Sequence, residues 1–419
     1  VPSNSYPAIV GEILSSGISC IGFSWIASPA CTELEVITMN WLGKLIGLPK
    51  EFLNCSEGPG GGVIQGSASE ATLVCLLAAK EQTMRRIQRL HPEWDEGFIK
   101  NKLIAYTSDQ SNSSVEKAGI LASVPMKLLP SDDQCVLRGE TLLKTIKEDL
   151  EKGLIPCCTV ATLGTTGTCA FDNLEELGPI CAEYNIWLHI DAAYAGAAFV
   201  CPEYRYLMSG VEYADSFNIN PHKWLLVNFD CSALWWASFR MQYDFSFEKK
   251  TKNWQIPLGR RFRSLKIWFV LRLYGVEGLQ EHIRRTIKLA QIFEDYVKAD
   301  SRFEMVIERS MGLICFRMKG DDQLTKELLS RLTAEKKIYV VAATYREKLI
   351  ARFVVCSRLT REEDITFAWN EITKQATEVL RSKSISLQEK PHEAFAKDAS
   401  DIATTIENLN LELKSQKIS

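Results

Sequence analysis

Three groups of residues in this chain could do chemistry together. Lys223 sits in the run ADSFNINPHKWLLVNFD, where an apolar segment on each side places the lysine in a loop beside buried sheet. Burial disfavours the ammonium and lowers its pKa, which is what an amine needs to form and exchange an imine. Read alone, such a lysine could equally snorkel to the surface. Upstream, the run IWLHI ends in Asp191, followed by the small residues Ala192, Ala193, Ala195 and Gly196. An acid at the carboxyl end of a buried strand stands where α/β folds bind ligands, and it can pair with a protonated pyridine nitrogen. By itself it could also cap a helix. Ala193 lets a flat ring lie against the chain. The third group is GPGGGVIQGSASEATLV at 58–74, with Gly66, Ser67, Ala68 and Ser69 at the mouth of a helix. Backbone N–H groups and two hydroxyls there form a phosphate cradle. The Walker A lysine is missing, which disfavours a nucleoside triphosphate. Each group is weak alone, but amine, acid and cradle in one α/β chain make pyridoxal 5′-phosphate the economical cofactor.

Other charged and polar residues narrow the choice. Of the five histidines, His222 adjoins Lys223 and His189 lies within a buried strand as packing, while His91, His282 and His392 read as surface. No pair has HExxH spacing, so no metal is expected. Arg260, Arg261, Arg263 and Lys266 read as a helix start rather than an anion patch. Arg352 lies inside the strand-like run ARFVVCS, where an arginine is rarely without a partner, and is a candidate for the site. A formal net charge of −3 gives no field to draw nucleic acid or anionic membrane, which leaves a small-molecule partner. The 13 cysteines are odd in number, contain no CxxC pair and lie partly in apolar runs, as in a reduced cytoplasmic protein. No apolar run reaches the roughly 18 to 20 residues of a bilayer span. The chain opens at Val1 in what reads as a domain interior, so a preceding segment is expected.

These residues need a frame. Between about 60 and 240, the short apolar runs KLIAY (102–106), MKLLP (126–130), PCCTVAT (156–162), IWLHID (186–191) and FDCSALW (229–235) alternate with helical patterns. That predicts a mostly parallel sheet covered on both faces. EATLVCLLAAKEQTMRRIQRL at 70–90 is an amphipathic helix with a basic last turn. After 262 come two long amphipathic stretches, SLKIWFVLRLYGVEGLQEHI and RTIKLAQIFEDYVKAD. Strand-like FEMVIE, GLICFRMK, KIYVVA and KLIARFVVCS then alternate with helical segments near 322–335 and 361–381. The expected layout is an N-terminal remnant at a dimer interface (1–55), a large cofactor-binding α/β domain (56–265), connecting helices (266–300), a smaller α+β domain (301–381) and a polar tail (382–419).

GVIQGSASEATL, ATLGTTGTCAFDNL, WLHIDAAYAGAAF, NPHKWLLVNFDCSALW and WQIPLGRRFRSLK resemble the aromatic L-amino-acid decarboxylase family of group II pyridoxal-phosphate decarboxylases. The likeness runs from about Ser5 to about residue 380. It implies fold type I, with a seven-stranded, mostly parallel sheet. It also implies Lys223 as the imine-forming lysine, Asp191 on the pyridine nitrogen, Ala193 beneath the ring and Thr166 near the phenolic oxygen. Ser67, Ala68, Ser69, Ser216, Asn220 and His222 would surround the phosphate and the lysine. Members are homodimers with a shared pocket, which would place Ile21 and Phe23 of CIGFSW against the ring of an aromatic amino acid.

Two departures matter. The family reads DQAHSS where this chain reads DQSNSS, so Asn112 replaces the histidine that stacks on the cofactor. An imidazole exchanges a proton near neutral pH, whereas a carboxamide does not titrate there. An amine forms only if the carbon that loses CO2 is promptly protonated; otherwise its electrons can meet dioxygen. The resemblance therefore narrows to the insect aromatic acetaldehyde synthases, which use O2 and release aldehyde, CO2, ammonia and peroxide. The alternatives are an ordinary decarboxylase making the amine and a non-catalytic relative that keeps the fold. Ser113 and Glu116 suggest a capping box that leaves Asn112 outside the helix. Between CSALW and WQIPLGRR the chain is shorter than the family's mobile loop, and Tyr243 fits the loop tyrosine's position poorly.

Overall fold

A computed structural model of the chain describes residues 3–237 and 254–383. In chain order the first layer comprises α1 (Tyr6–Ile18), α2 (Pro29–Ile46), β1 (Gly61–Gln65), α3 (Ala68–Leu90), α4 (Glu96–Lys100), β2 (Leu103–Ser108), α5 (Ser113–Ala122), β3 (Met126–Leu129), α6 (Gly139–Glu151), β4 (Ile155–Thr162), α7 (Leu174–Glu183), β5 (Trp187–Asp191), β6 (Ser216–Ile219), α8 (Pro221–Trp224) and β7 (Ser232–Trp236). It is followed by α9 (Arg263–Ala299), β8 (Phe303–Met305), β9 (Leu313–Met318), α10 (Asp322–Glu335), β10 (Val341–Tyr345), β11 (Lys348–Val354) and α11 over 362–383.

The seven-stranded sheet has the order β1-β7-β6-β5-β4-β2-β3. Four of its six pairings are parallel, and β7 runs antiparallel to both neighbours. Strands β2, β4 and β5 are buried almost throughout because helices cover both faces, as the sequence predicts. Two strands were not predicted. β1 hides in a glycine run, where a Cβ on Gly62 would stand 2.6 Å from Met39 Cε and 2.7 Å from Trp235, so the strand needs glycine to pack. β6 reads as polar because Ser216 and Asn218 interrupt it, and both bond inside the core. The second sheet, β10-β11-β9-β8, is antiparallel. Its KIYVVA strand starts only at Val341. The two stretches expected after 262 form α9, and the break falls at Gly275, whose φ of 65° lies where only glycine is at ease.

α1 lies on α9 so closely that a Cβ on Gly11 would meet Lys266 Cα at 2.7 Å. Its other side leaves Tyr6, Ile9, Val10, Ile13, Leu14 and Ile18 exposed at helical spacing. The basic cluster is more than a helix start, since every member ties the N-terminal helices or the lysine loop to α9 and the segment before it. Arg260 forms a buried ion pair with Glu35, which also accepts the Ile64 N–H (2.8 Å). Arg261 and Lys266 both pair with Glu12, and Arg263 pairs with Asp230 (2.8 Å). Among the described residues no helix is long and apolar enough to cross a membrane.

Removing one partner of a buried pair leaves the other charge uncompensated. Arg260→Ala should therefore destabilise the fold by about 3 kcal/mol, seen as a lower midpoint in urea denaturation; an unchanged midpoint contradicts this.

Candidate active site

The carboxyl ends of β2, β4, β5 and β6 open on one edge of the sheet because these neighbours are parallel. β1 points the same way, being antiparallel to β7, which is antiparallel to β6. The segments leaving that edge carry Asn112, Thr166, Ala193, Lys223 and the start of α3, so the topology converges the predicted residues where α/β sheets hold ligands.

Lys223 is stitched to Asp191 through the backbone. Ala192 N–H donates to Asn218 O (2.9 Å), Asn220 N–H to Ala193 O (3.1 Å) and Lys223 N–H to Asn220 O (2.9 Å). Next to it, Trp224 stacks on Tyr194 with centroids 5.0 Å apart and donates to Thr286 Oγ1 on α9 (3.1 Å). The Lys223 ammonium has no hydrogen-bond or ion-pair partner among the described residues. Burial pulls its pKa below the ordinary 10.5, and the charge of Asp191 only partly opposes this. Asp191 is buried and accepts the Ala193 N–H (3.0 Å), which fixes its carboxylate. His222 Nδ1 accepts the Cys231 N–H (2.9 Å), so its proton sits on Nε2, and burial pushes its pKa down to about 4. His222 is neutral at pH 7.

At the cradle, Ser67 caps α3 by accepting the Glu70 N–H (3.2 Å), while Glu70 takes the Gly66 N–H (2.8 Å). The Ser67 hydroxyl is therefore partly committed, and the anion-binding capacity lies in the Ala68 and Ser69 amides and the exposed Ser69 hydroxyl. Asn220 is buried nearby in sequence to Lys223, with its Oδ1 unpartnered.

Asn112 is itself the cap of α5, which corrects the expected capping box at Ser113. Its Oδ1 accepts the Ser114 N–H (3.0 Å), and its Nδ2 donates to Thr166 Oγ1 (2.9 Å). An asparagine caps at least as well as a serine, and here it also bridges the loops after β2 and β4.

The other candidates have these surroundings. Ser216 is fully buried, with its hydroxyl bonded to Trp187 Nε1 and His189 Nδ1 (2.9 Å each). Ile21 is 62% exposed and lies beside Gly259, and Phe23 shares its segment. Arg352 forms no ion pair among the described residues, and its buried Nε is unpartnered. It faces Cys169, Tyr194 and Cys315. His282 is buried against Trp224, not surface as expected, and burial lowers its pKa to about 4. Tyr243 and most of its loop, His392 and the tail from 384 fall outside the described residues. His189 deserves more than a packing role, because it shares the face of β5 with Asp191 and feels its charge. The period-two alternation of Trp187, His189 and Asp191 carries that signal.

The residues fit pyridoxal 5′-phosphate. An unpaired amine of lowered pKa, a fixed carboxylate, the Ala193 methyl and a helix N-terminus match an aldehyde, a pyridine nitrogen, a ring face and a phosphate.

The chain matches the Pyridoxal-dependent decarboxylase conserved domain over residues 1–319. It is 54% identical over 389 residues to the aromatic-L-amino-acid decarboxylase of Drosophila lebanonensis, covering 90% of this chain and 96% of that protein. It is also 54% identical over 391 residues to the 3,4-dihydroxyphenylacetaldehyde synthase of Aedes aegypti, covering 90% and 75%. Among solved structures, Oryza sativa TDC with PLP aligns at a TM-score of 0.85 and 38% identity, over 90% of this chain and 82% of that one. Rhodiola rosea 4-hydroxyphenylacetaldehyde synthase aligns at 0.83 and 37%, over the same shares.

The lysine yields a test on the apoprotein. Its folded pKa lies below the unfolded one, so at neutral pH burying this amine costs the fold stability, and that cost vanishes as pH rises to the ordinary 10.5. Lys223→Met should raise the apoprotein's melting temperature at pH 7, with the gap closing toward pH 10.5. A gap that is constant with pH rejects the burial account.

Proposed function

The chain belongs to the pyridoxal-dependent decarboxylase family and takes pyridoxal 5′-phosphate as its cofactor, and from that premise we propose that it converts an aromatic L-amino acid, L-dopa foremost, to the aromatic acetaldehyde. The balanced reaction takes one O2 and one water per amino acid and gives one aldehyde, CO2, NH3 and H2O2; the two electrons lost by the substrate reduce O2 to peroxide. When bound, the cofactor supplies a conjugated ring that takes up the electron pair released as CO2 leaves. Lys223 supplies the amine that holds it, Asp191 keeps the ring nitrogen protonated, and the α3 N-terminus holds the phosphate. Arg352, half-buried and without an ion pair among the described residues, is suited to the substrate carboxylate.

The observation that carries the reading is the state of Asn112. Its amide is held at both ends, by Ser114 N–H and Thr166 Oγ1, on the edge where the cofactor residues converge. It can orient a substrate but cannot deliver a proton to Cα. His222 is a poor replacement, because burial lowers its pKa to about 4 and a neutral imidazole is a weak proton donor. A second reading, simple decarboxylation to the amine, is supported by the equal identity to a decarboxylase.

We extend the proposal to a cytoplasmic homodimer with a shared pocket. All thirteen cysteines are free, which suits a reducing compartment. The exposed stripe of α1, together with Ile21, Trp25 and Ile26, is an apolar surface of the kind a second copy covers.

With L-dopa, O2 uptake, peroxide and CO2 should appear one to one to one, and Asn112→His should shift product toward dopamine. Amine formed without O2 uptake refutes the synthase reading. Ile13→Asp should turn a sedimenting dimer into a monomer of low activity; a parent protein that sediments as a monomer refutes the dimer.

A further inference from the structure

We propose that Ser310 and Cys315, which lead into and lie on β9, are positioning residues that set where Thr166, and through it Asn112, stands at the cofactor site. The inference rests on the reading of Asn112 as the group that selects the product. The loop at 163–169 carries Thr166 at an exposed tip. Its stem is fixed within the first layer: Leu163 N–H donates to Asp191 O (2.9 Å), Gly164 N–H to Ala170 O (2.9 Å), and Thr165 and Thr168 hydroxyls bond at 3.1 Å. Two ties come from β9 and the turn before it, and hold the side of the loop that follows the tip. Ser310 Oγ donates to Cys169 O (2.8 Å), and Cys315 Sγ donates to Gly167 O (3.5 Å). Burial pushes the Cys315 thiol up to about 12, so it keeps the proton it donates.

The turn holding Ser310 has little freedom to slide. Arg309 donates to Glu294 on α9 (2.7 Å) and to Met311 O (3.0 Å). Met311 has a φ of 53°, and a Cβ on Gly312 would stand 2.6 Å from Val355 O and 3.1 Å from the Tyr194 hydroxyl. α9, the end of β11 and Tyr194 therefore grip the turn, and Ser310 passes its position to the loop. Asn112 Oδ1 is fixed on Ser114, so a shift of Thr166 breaks only the Nδ2 bond and leaves the amide held at one end instead of two. The second sheet would in this way govern product choice without touching the reacting atoms.

The test uses the cofactor-loaded enzyme with two readouts, the visible circular dichroism of the bound cofactor and the aldehyde-to-amine ratio from L-dopa. Ser310→Ala should weaken the dichroic band and lower the ratio about fivefold, the scale of one intramolecular hydrogen bond. Ser310→Thr, which keeps the hydroxyl, should restore both, and Cys315→Ala should act in the same direction, serving as the probe if Ser310→Ala fails to fold. In a Thr166→Ala background Ser310→Ala should add nothing, because its route is cut. Unchanged dichroism and ratio in Ser310→Ala and Cys315→Ala, or an undiminished effect in the Thr166→Ala background, overturns the proposal. Should the parent make only amine, or Asn112→His leave the product unaltered, the product reading fails, and the dichroism cycle between positions 310 and 166 still decides the positioning claim.

Discussion

A desolvated amine opposite a carboxylate, with no bond of its own among the described residues, is the constraint around which the rest of this structure is arranged. The Lys223 amine is held in an environment that disfavours its charge, and only Asp191 opposes the shift. A fold tolerates such a group when the surrounding backbone leaves it no alternative. Here three successive backbone hydrogen bonds lock the lysine turn to the strand that ends in Asp191, and the Tyr194–Trp224 stack blocks retreat from beneath. The ion pairs of Arg260, Arg261, Arg263 and Lys266 extend that fixation to the N-terminal helices.

Much of this was legible in the chain itself. Lys223, Asp191 and the glycine-serine run each declare a chemical preference, and apolar runs between helical patterns imply the parallel sheet that gathers them on one edge. Resemblance supplied the role of Thr166, whereas Ala193's smallness beside Asp191 already spoke for a flat ring. What stayed hidden follows from physics that local pattern does not carry. β1 is masked because its glycines answer to Met39 and Trp235, partners distant in sequence. His282 looks like a surface histidine because its neighbours are polar, yet the face it shares with Thr286 lies under Trp224. The capping residue of α5 was misplaced by one position because Asn112 and Ser113 are both good caps, and the bond from Ser114 N–H and the Thr166 contact favour the former.

Asn112 shows how a small change of side chain can be structural and chemical at once. Its carbonyl oxygen closes a helix and its amide nitrogen reaches the neighbouring loop, so helix α5 and the loop after β4 share one side chain. A histidine offers a single ring in place of these two separately directed groups, and a protein that exchanges one for the other must settle the helix end as well as the reaction.

Gly275 has no heavy atom within 4 Å of where a side chain would begin, and an inventory of contacts would pass it over. Its dihedrals nevertheless divide α9 into two rods: the first carries the basic residues bound to Glu12 and Asp230, and the second carries Thr286 beneath Trp224 and Glu294 beside Arg309. One permissive backbone position thus works as the elbow of a jig, fixing the angle at which two workpieces are presented to each other, and its importance is conformational while its surroundings are empty.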